Sequence, residues 1–340
     1  MDIDRRATLL GFLAALAVLL VVFGFVGIGP VLDTIRQADP VVLAALPFVA
    51  AAWVVAWGLS LYVILGVIGT PVRATTAVLV FLAATFANNV TPFGQAGGEP
   101  ITAYLIADVT DDRYESGLAA IASADALNFV PSLSLAAVGI GYFAATTALG
   151  RRLRVAALSL VVVAGLLVTA LVVGWRYRET VESRLADVLT ALAGGVARLL
   201  PRREPPPREA VTARIGGFFV AVERVALDRN RLVVALGCST VGWLALAASL
   251  WLSVYALAPD APVSFAATLL VIPIAGVASV TPLPGGLGGV ETVLITLLVA
   301  TGATPVVAGG AVLVHRVATY WLPTAAGGVA TATWGVNGLE

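Results

Sequence analysis

The sequence predicts an all-α polytopic membrane protein with about eight transmembrane helices and two short re-entrant helices in two repeat-related halves. Composition is the first observation: 59% of the 340 residues are hydrophobic and only 12% are charged, whereas soluble chains carry roughly 25% charged residues. The second observation is a series of long apolar runs. The third is a glycine-rich motif that occurs twice. So few charged residues cannot make this much apolar surface soluble in water. We therefore expect lipid to surround the protein.

The apolar runs are long enough to cross a bilayer, since about 20 helical residues span its hydrocarbon core. They cover residues 7–28, 41–66, 74–92, 116–147, 155–174, 232–257, 263–282 and 305–332. The first run exceeds the apolar core of a signal peptide, which has about 7–15 residues, and we assign it as a membrane helix. The run 116–147 is longer than one span needs and contains Asp125, Asn128 and Pro131. This predicts a kinked or partly re-entrant path there.

Three regions follow from this pattern. Residues 1–174 form a first membrane half with a re-entrant motif at 88–107, and residues 232–340 form a second half with a re-entrant motif at 278–300. The linker 175–231 between them contains 11 arginines and 7 acidic residues. The multi-pass chain is expected in the cell membrane.

The linker sequence predicts two amphipathic helices, one before and one after a proline-rich stretch. Apolar residues recur with the helical period of 3.6 residues, first at Val181, Leu185, Val188, Leu192, Val196 and Leu199, and then at Val211, Ile215, Phe218, Val222 and Val225. Two interpretations stay open. The helices lie on the membrane surface with arginines toward lipid phosphates, or they form a hairpin packed on other loops.

The arginine distribution conflicts with eight single crossings. Arginines at 5–6, 73 and 151–154 alternate with the acidic loop 108–115, which predicts a cytoplasmic N-terminus. Eight single crossings then put the arginine-rich linker outside, against the positive-inside rule. Either one span is miscounted, with 116–147 the first candidate, or the linker is translocated despite its charge.

A glycine-rich motif occurs once in each half. Each copy contains Val-Thr-Pro, then glycines, then a glutamate that opens an apolar segment too short to span the bilayer. The first motif, residues 88–99, reads NNVTPFGQAGGE, and the second motif, residues 278–291, reads ASVTPLPGGLGGVE. Glycine and proline break a membrane helix and free backbone polar groups, which are tolerated only where protein or water covers them. Paired broken helices indicate a transport site.

The candidate site residues lie in or after these motifs. Charged groups at membrane depth are costly and usually functional, so we assign substrate binding to the polar side chains Glu99, Glu291, Arg316, His315, Asp125, Asn88, Asn89 and Gln95. The residues expected to form the backbone bends are Gly97, Gly98, Pro284, Gly285, Gly286, Gly288 and Gly289. The N-terminus of each short helix is expected to present free N–H groups to an anion such as a lipid phosphate.

Most of these residues also have a purely structural interpretation. A glutamate in the first helical turn complements the helix dipole. His315 would be a packed histidine with a satisfied hydrogen bond, and Asn88 and Asn89 would cap a helix end. Asp125 would face a water-filled cleft or pair with an arginine. No catalytic residue, metal site or cofactor is assigned. The single Cys238 excludes an internal disulfide, and zero net charge without a basic tract argues against nucleic-acid binding.

The second motif, followed by a late arginine, resembles the membrane domain of lysylphosphatidylglycerol synthases and their stand-alone, archaeal-type, flippase-like relatives. The resemblance covers essentially the whole chain and puts these residues at matching positions: Glu99, Pro284, Gly285, Gly286, Gly288, Glu291 and Arg316. Many relatives carry an arginine where this chain reads IASADALN at 121–128. With no soluble aminoacyl-transferase domain after the last predicted span, the resemblance implies lipid handling or translocation, not lipid aminoacylation.

The leading hypothesis is a flippase-like protein that translocates or binds an anionic lipid or a lipid-linked substrate such as a lipid-linked glycan. Arg316 would pair with the headgroup phosphate or with a glutamate. The glutamates would hold Arg316, bind a cationic headgroup or carry a coupling proton. The alternatives are an intramembrane enzyme of polyprenyl-phosphate or phospholipid metabolism, and a membrane scaffold that docks through residues 175–231.

Overall fold

The computed structural model describes residues 27–91, 94–146, 208–281 and 283–337, together with residue 24 and scattered residues between 158 and 188. Within these ranges every regular element is helical, as the predicted all-α class requires. The helices before the linker are α1 (Ile28–Arg36), α2 (Pro40–Ile68), α3 (Ala74–Val90), α4 (Gln95–Thr110) and α5 (Tyr114–Thr146). The linker contains α6 (Arg208–Leu227). The helices that follow α6 are α7 (Arg229–Leu257), α8 (Phe265–Val277), α9 (Gly289–Ala300), α10 (Pro305–Arg316) and α11 (Leu322–Asn337).

Among the described helices, α2, α5 and α7 are long and apolar enough to cross a membrane. The predicted spans 74–92 and 263–282 correspond to the shorter helices α3 and α8, which have 17 and 13 residues. The predicted span 305–332 corresponds to α10 and α11, which are joined by a π-helical turn, Val317–Trp321. The runs 7–28 and 155–174 fall largely outside the described residues. The total of eight spans therefore stays a prediction.

Local sequence signals set where the long helices begin and end. The Asp39 carboxylate caps α2 by accepting hydrogen bonds from the N–H groups of Val41 and Val42, and proline at the first helical position has a backbone angle already suited to a helix. The helix stops at Gly69, whose φ of 105° is a conformation that glycine adopts without steric cost. Asp228 caps α7 in the same manner.

Helices α2 and α7 pack antiparallel along much of their length and form the centre of the fold. Ser60 Oγ donates to the carbonyl of Ala235 at 3.2 Å, and Trp57 Nε1 donates to that of Ser239 at 3.1 Å. We call the two ends of this pair the Arg73 end, where α2 finishes and α7 starts, and the Asp39 end, where α2 starts and α7 finishes. The other helices are described relative to these ends.

Two helical hairpins enter the fold from opposite ends. The hairpin α3–α4 starts at the Arg73 end and returns to it, because Ile106 of α4 belongs to the same buried cluster as Ile68. The hairpin α8–α9 starts at the Asp39 end and returns to it, where Gly302 lies against Pro262. The turns of the two hairpins contain the first and second motifs and lie in the interior of the helix bundle.

Helix α5 continues without interruption from residue 114 to 146 with Pro131 inside it, so the re-entrant path expected within 116–147 is not observed. Asn128 anchors this helix to α7, because its side-chain oxygen accepts from Ser239 Oγ at 2.5 Å and its carbonyl accepts from Trp243 Nε1 at 2.9 Å. The return of the chain occurs earlier, at the α3–α4 hairpin.

The second linker helix predicted from sequence is α6, and its apolar face packs on protein. Val211 and Ile215 cluster with Ala186, while Val225 joins the buried cluster under α2 and α4. Arg224 donates to the carbonyl of Ile68 at 3.3 Å, which puts α6 at the Arg73 end. The apolar face of this helix is thus covered by protein. The first linker helix falls mostly outside the described residues, so the hairpin stays a prediction.

Candidate functional site

The two motifs meet inside the helix bundle. The backbone of Gly94 in the first motif lies so close to the second that a Cβ atom on it would be 3.2 Å from the carbonyl oxygen of Ser279. Helix α3 packs against the short 3-10 turn Pro284–Gly286, and α4 packs against the 3-10 turn Ala278–Val280. The second motif thus touches both helices of the first hairpin as well as its turn.

The second motif turns tightly because its glycines adopt conformations that other residues avoid. Gly285, Gly286 and Gly288 have φ angles of 56°, 67° and 85°, in the left-handed region that favours glycine. The space around them is equally restrictive. A Cβ on Gly285 would overlap the ring of Tyr320, and one on Gly286 would be 2.7 Å from the Cα of Ser279.

A buried ion pair lies directly on this turn. Arg316 Nε donates to Glu291 Oε1 at 2.6 Å, and the side chains are only 12% and 4% exposed. The second carboxylate oxygen accepts from the backbone N–H of Gly288 at 2.6 Å, which satisfies one free donor at the start of α9. Arg316 Nη2 also reaches the carbonyl of Gly285 at 3.4 Å. Glu291 therefore both caps a helix and holds Arg316, two of the roles considered from the sequence.

Tyr320 connects this pair to the first motif. The guanidinium carbon of Arg316 lies 4.1 Å from the centre of the Tyr320 ring, a distance at which cation–π attraction operates. The Tyr320 hydroxyl donates to the carbonyl of Asn89 at 3.0 Å. Asn89 Nδ2 donates in turn to Thr324 Oγ1 at 2.7 Å. Asn89 is thus bonded to α11 through its side chain and to the π-helical turn through its backbone.

The first motif brings together a pair of acids instead of an acid and a base. The carboxyl groups of Glu99 in α4 and Asp125 in α5 lie close enough to interact. Gly98 allows the two legs of the hairpin to approach, because a Cβ there would overlap the backbone of Asn88. The Asn88 Oδ1 atom is buried without a hydrogen-bond partner among the described residues.

His315 is not among the described contacts between the motifs. The ring nitrogens of His315 lie 3.0 Å from Ser249 Oγ and 3.4 Å from Thr319 Oγ1, so its partners are on α7 and in its own helical segment. This geometry agrees with a packed, hydrogen-bonded histidine. The side chain of Gln95 lies outside the described part of the chain. Gly97 is within α4, and Gly289 begins α9.

Sequence reasoning missed Tyr320 and Thr324, which lie in what reads as an ordinary apolar span. A signal was present at Pro323, because proline removes a helical hydrogen-bond donor and disturbs the preceding turn. The π-helical turn is found immediately before it, and such turns are frequent at functional sites. Tyr320 also follows Arg316 by four residues, which puts both on one face of a helix.

Comparison with known proteins agrees with a membrane protein. Residues 8–327 match the family described as the lysylphosphatidylglycerol synthase TM region. Two relatives, each named UPF0104 membrane protein, come from Methanothermobacter thermautotrophicus. One is 27% identical, covering 98% of this chain and 94% of the relative, and the other is 25% identical, covering 97% and 95%. The chain therefore belongs to the lysylphosphatidylglycerol synthase transmembrane-region family.

Proposed function

We propose that this membrane protein binds and translocates an anionic lipid or a lipid-linked substrate where the two hairpin turns meet. The observation that carries the proposal is the buried Glu291–Arg316 pair, which is bonded to the backbone of one motif and stacked on a tyrosine bonded to the other. Buried charges at membrane depth are costly and mark substrate pathways. The family's description names a phospholipid product, which supports a lipid as the ligand.

In this proposal, the membrane part has two halves of inverted orientation, residues 1–174 and 232–340, joined by the linker 175–231. Helix α2 runs from the Asp39 end to the Arg73 end, and α7 runs the opposite way. The contacts also correspond: α3 packs on α11 as α8 packs on α5, and α4 packs on α5 as α9 packs on α10. Inverted repeats with a site at their interface are typical of secondary transporters.

The two hairpins act as re-entrant elements. Helices α3, α4, α8 and α9 have 17, 16, 13 and 12 residues. At about 1.5 Å per residue they are roughly 18–26 Å long, less than the roughly 30 Å of the hydrocarbon core. Broken backbone at this depth is tolerated because protein surrounds it. A headgroup would therefore meet the two turns part-way through the membrane.

Arg316 recognises the substrate through its charge. A guanidinium has five N–H donors and suits phosphate oxygens. Glu291 holds it while the site is empty, so an incoming phosphate competes with a carboxylate that is already bonded to Gly288. The exchange replaces one charged partner by another, and Arg316 does not become an unpaired charge inside the membrane. Glu291 then keeps the backbone N–H of Gly288 as its partner.

Reconstitution in liposomes tests the proposal. Vesicles containing an anionic phospholipid with a fluorescent headgroup are followed by a membrane-impermeant quencher, with an uncharged lipid in parallel. We expect the parent protein to exchange the anionic lipid between leaflets and Arg316→Ala to abolish this exchange. Arg36→Ala is the matched control, because Arg36 is 76% exposed and pairs with Asp33 at the surface. The proposal is wrong if Glu291→Gln and Arg316→Ala leave both protein level and lipid movement unchanged.

A further inference from the structure

Tyr320 makes three contacts that no other described residue combines. Its ring lies under the Arg316 guanidinium at 4.1 Å. The same ring fills the space above Gly285, where a Cβ would overlap it. Its hydroxyl donates to the carbonyl of Asn89, 231 residues away in the sequence. The side chain is only 2% exposed, so these contacts are formed in a well-packed interior.

The backbone around Tyr320 departs from a regular helix at this point. The N–H of Leu322 bonds to the carbonyl of Val317, five residues earlier, which is the π-helical pattern. Pro323 follows, and it has no N–H to offer to the carbonyl four residues before it. A wider turn with weaker internal bonding costs little to rearrange. Tyr320 therefore lies on the part of this helix that is easiest to change.

We infer that Tyr320 is a positioning residue that couples the state of Arg316 to the first hairpin turn. This inference rests on the proposed function. While Arg316 is paired with Glu291, its guanidinium fixes the Tyr320 ring, and the hydroxyl holds Asn89 and keeps the two turns together. When Arg316 moves to a substrate phosphate, the ring loses its cation partner and the hydroxyl bond to Asn89 is released. The turns can then separate around the headgroup.

The two parts of the Tyr320 side chain have separable roles. The ring supports Arg316 and therefore affects how well an anion binds. Among the described residues, the hydroxyl bonds to Asn89, and it therefore affects how readily the turns separate. Tyr320→Phe removes the second role and keeps the first, whereas Tyr320→Leu removes both. A residue that only filled space would not separate the two effects.

The first test measures separation of the turns without any transport. In a Cys238→Ser background, a cysteine replaces Thr91, which is buried at the first hairpin turn, and its reaction with a thiol reagent is timed in the full-length protein in lipid vesicles. Loss of one ordinary hydrogen bond shifts an opening equilibrium about fivefold, so Tyr320→Phe should raise the labelling rate roughly fivefold. Tyr62→Phe, on exposed α2 surface, is the matched control and should leave the rate unchanged. An unchanged rate in Tyr320→Phe would overturn the inference.

The second test measures lipid movement over a range of concentrations of the fluorescent anionic lipid. Tyr320→Phe should change the maximal rate and leave the half-saturating concentration near that of the parent, whereas Tyr320→Leu should also raise the half-saturating concentration. Equal effects of both variants on both quantities would contradict the inference. If the parent protein moves no lipid, the proposed function fails, while the labelling rate still decides whether Tyr320 holds the turns together.

Discussion

At the residue scale, the most consequential feature is the placement of Arg316 and Glu291 away from water. A charge in a low-dielectric interior must be paired, because leaving it alone costs several kcal/mol. Glu291 has two partners, Arg316 and the N–H of Gly288. Arg316 adds the Gly285 carbonyl and the Tyr320 ring. The pair is thus held by fixed groups of the second motif.

Replacing one member of this pair should lower the free energy of unfolding more than replacing both. Arg316→Met leaves the Glu291 carboxylate buried without its cation, and we expect a loss of about 3–5 kcal/mol in the free energy of unfolding. Adding Glu291→Gln should recover most of that loss, because no unpaired charge remains. Thermal unfolding in detergent, compared across the two single variants and the double variant, measures this coupling. Additive losses would mean that the pair contributes nothing through its charges.

The acid pair of the first motif leads to a different expectation. Two ionised carboxylates at Glu99 and Asp125 would repel each other at this distance. Asp125→Asn removes one of the charges and supplies an N–H donor, so folding should be retained. Asp125→Leu leaves Glu99 without this partner and should lower the melting temperature. The comparison of the two variants by thermal unfolding checks the assignment, and equal melting temperatures would contradict it.

At the element scale, the hairpins depend on close backbone contact between their legs. Gly98 of α4 faces the backbone of Asn88 in α3, without space for a methyl group. Small residues allow membrane helices to pack backbone to backbone. The same helix carries Glu99 at the next position, so the packing of the legs decides where that carboxyl lies.

Gly98→Ala should destabilise the protein by about 1–3 kcal/mol, the usual cost of inserting a methyl group into a packed site. Gly237→Ala is the matched control, since this helical glycine has open space around it. There alanine should be neutral or stabilising by up to about 1 kcal/mol, because it is the better helix former. Unfolding free energies of the two variants test this. Equal effects would show that packing at Gly98 is not restrictive.

Sequence reasoning identified the elements better than the contacts between them. Glycine density and the two glutamates indicated a broken helix in each half, and the described chain does turn at both motifs. The Glu291–Arg316 pairing was one of several options, because a carboxylate and an arginine 25 residues apart have many alternative partners. The bond from Tyr320 to Asn89 could not be predicted from the sequence. Helical periodicity indicates which face of a helix a residue occupies, but not which distant residue contacts it.

At the scale of the whole molecule, the hairpins change how the arginines are assigned to the two sides of the membrane. The chain returns to the Arg73 end after α4, so α5 leads to the opposite end. Arg178 pairs with Glu223 of α6 at 3.6 Å, and α6 lies at the Arg73 end. The described part of the linker thus lies at the same end as Arg73. By the positive-inside rule, we expect this end to face the cytoplasm.

Cysteine labelling in intact cells checks this orientation. In a Cys238→Ser background, single cysteines replace the exposed residues Asp260, Asp108 and Glu209. An impermeant thiol reagent should label position 260 from outside, at the Asp39 end. Positions 108 and 209 should react only after the membrane is permeabilised. Labelling of position 209 from outside would place the linker on the external face and contradict the assignment.

The pairing of α3 with α11 also bears on how the protein is made. Asn89 and Thr324 bond across 235 residues, so the first motif is synthesised and inserted long before its partner leaves the ribosome. During that interval the polar turn after α3 lacks the helix that finally covers it. Water or the insertion machinery must occupy that face until the last helix arrives. We therefore expect the docking of α11 to come late in biogenesis, and a chain cut before residue 322 to leave the first motif uncovered.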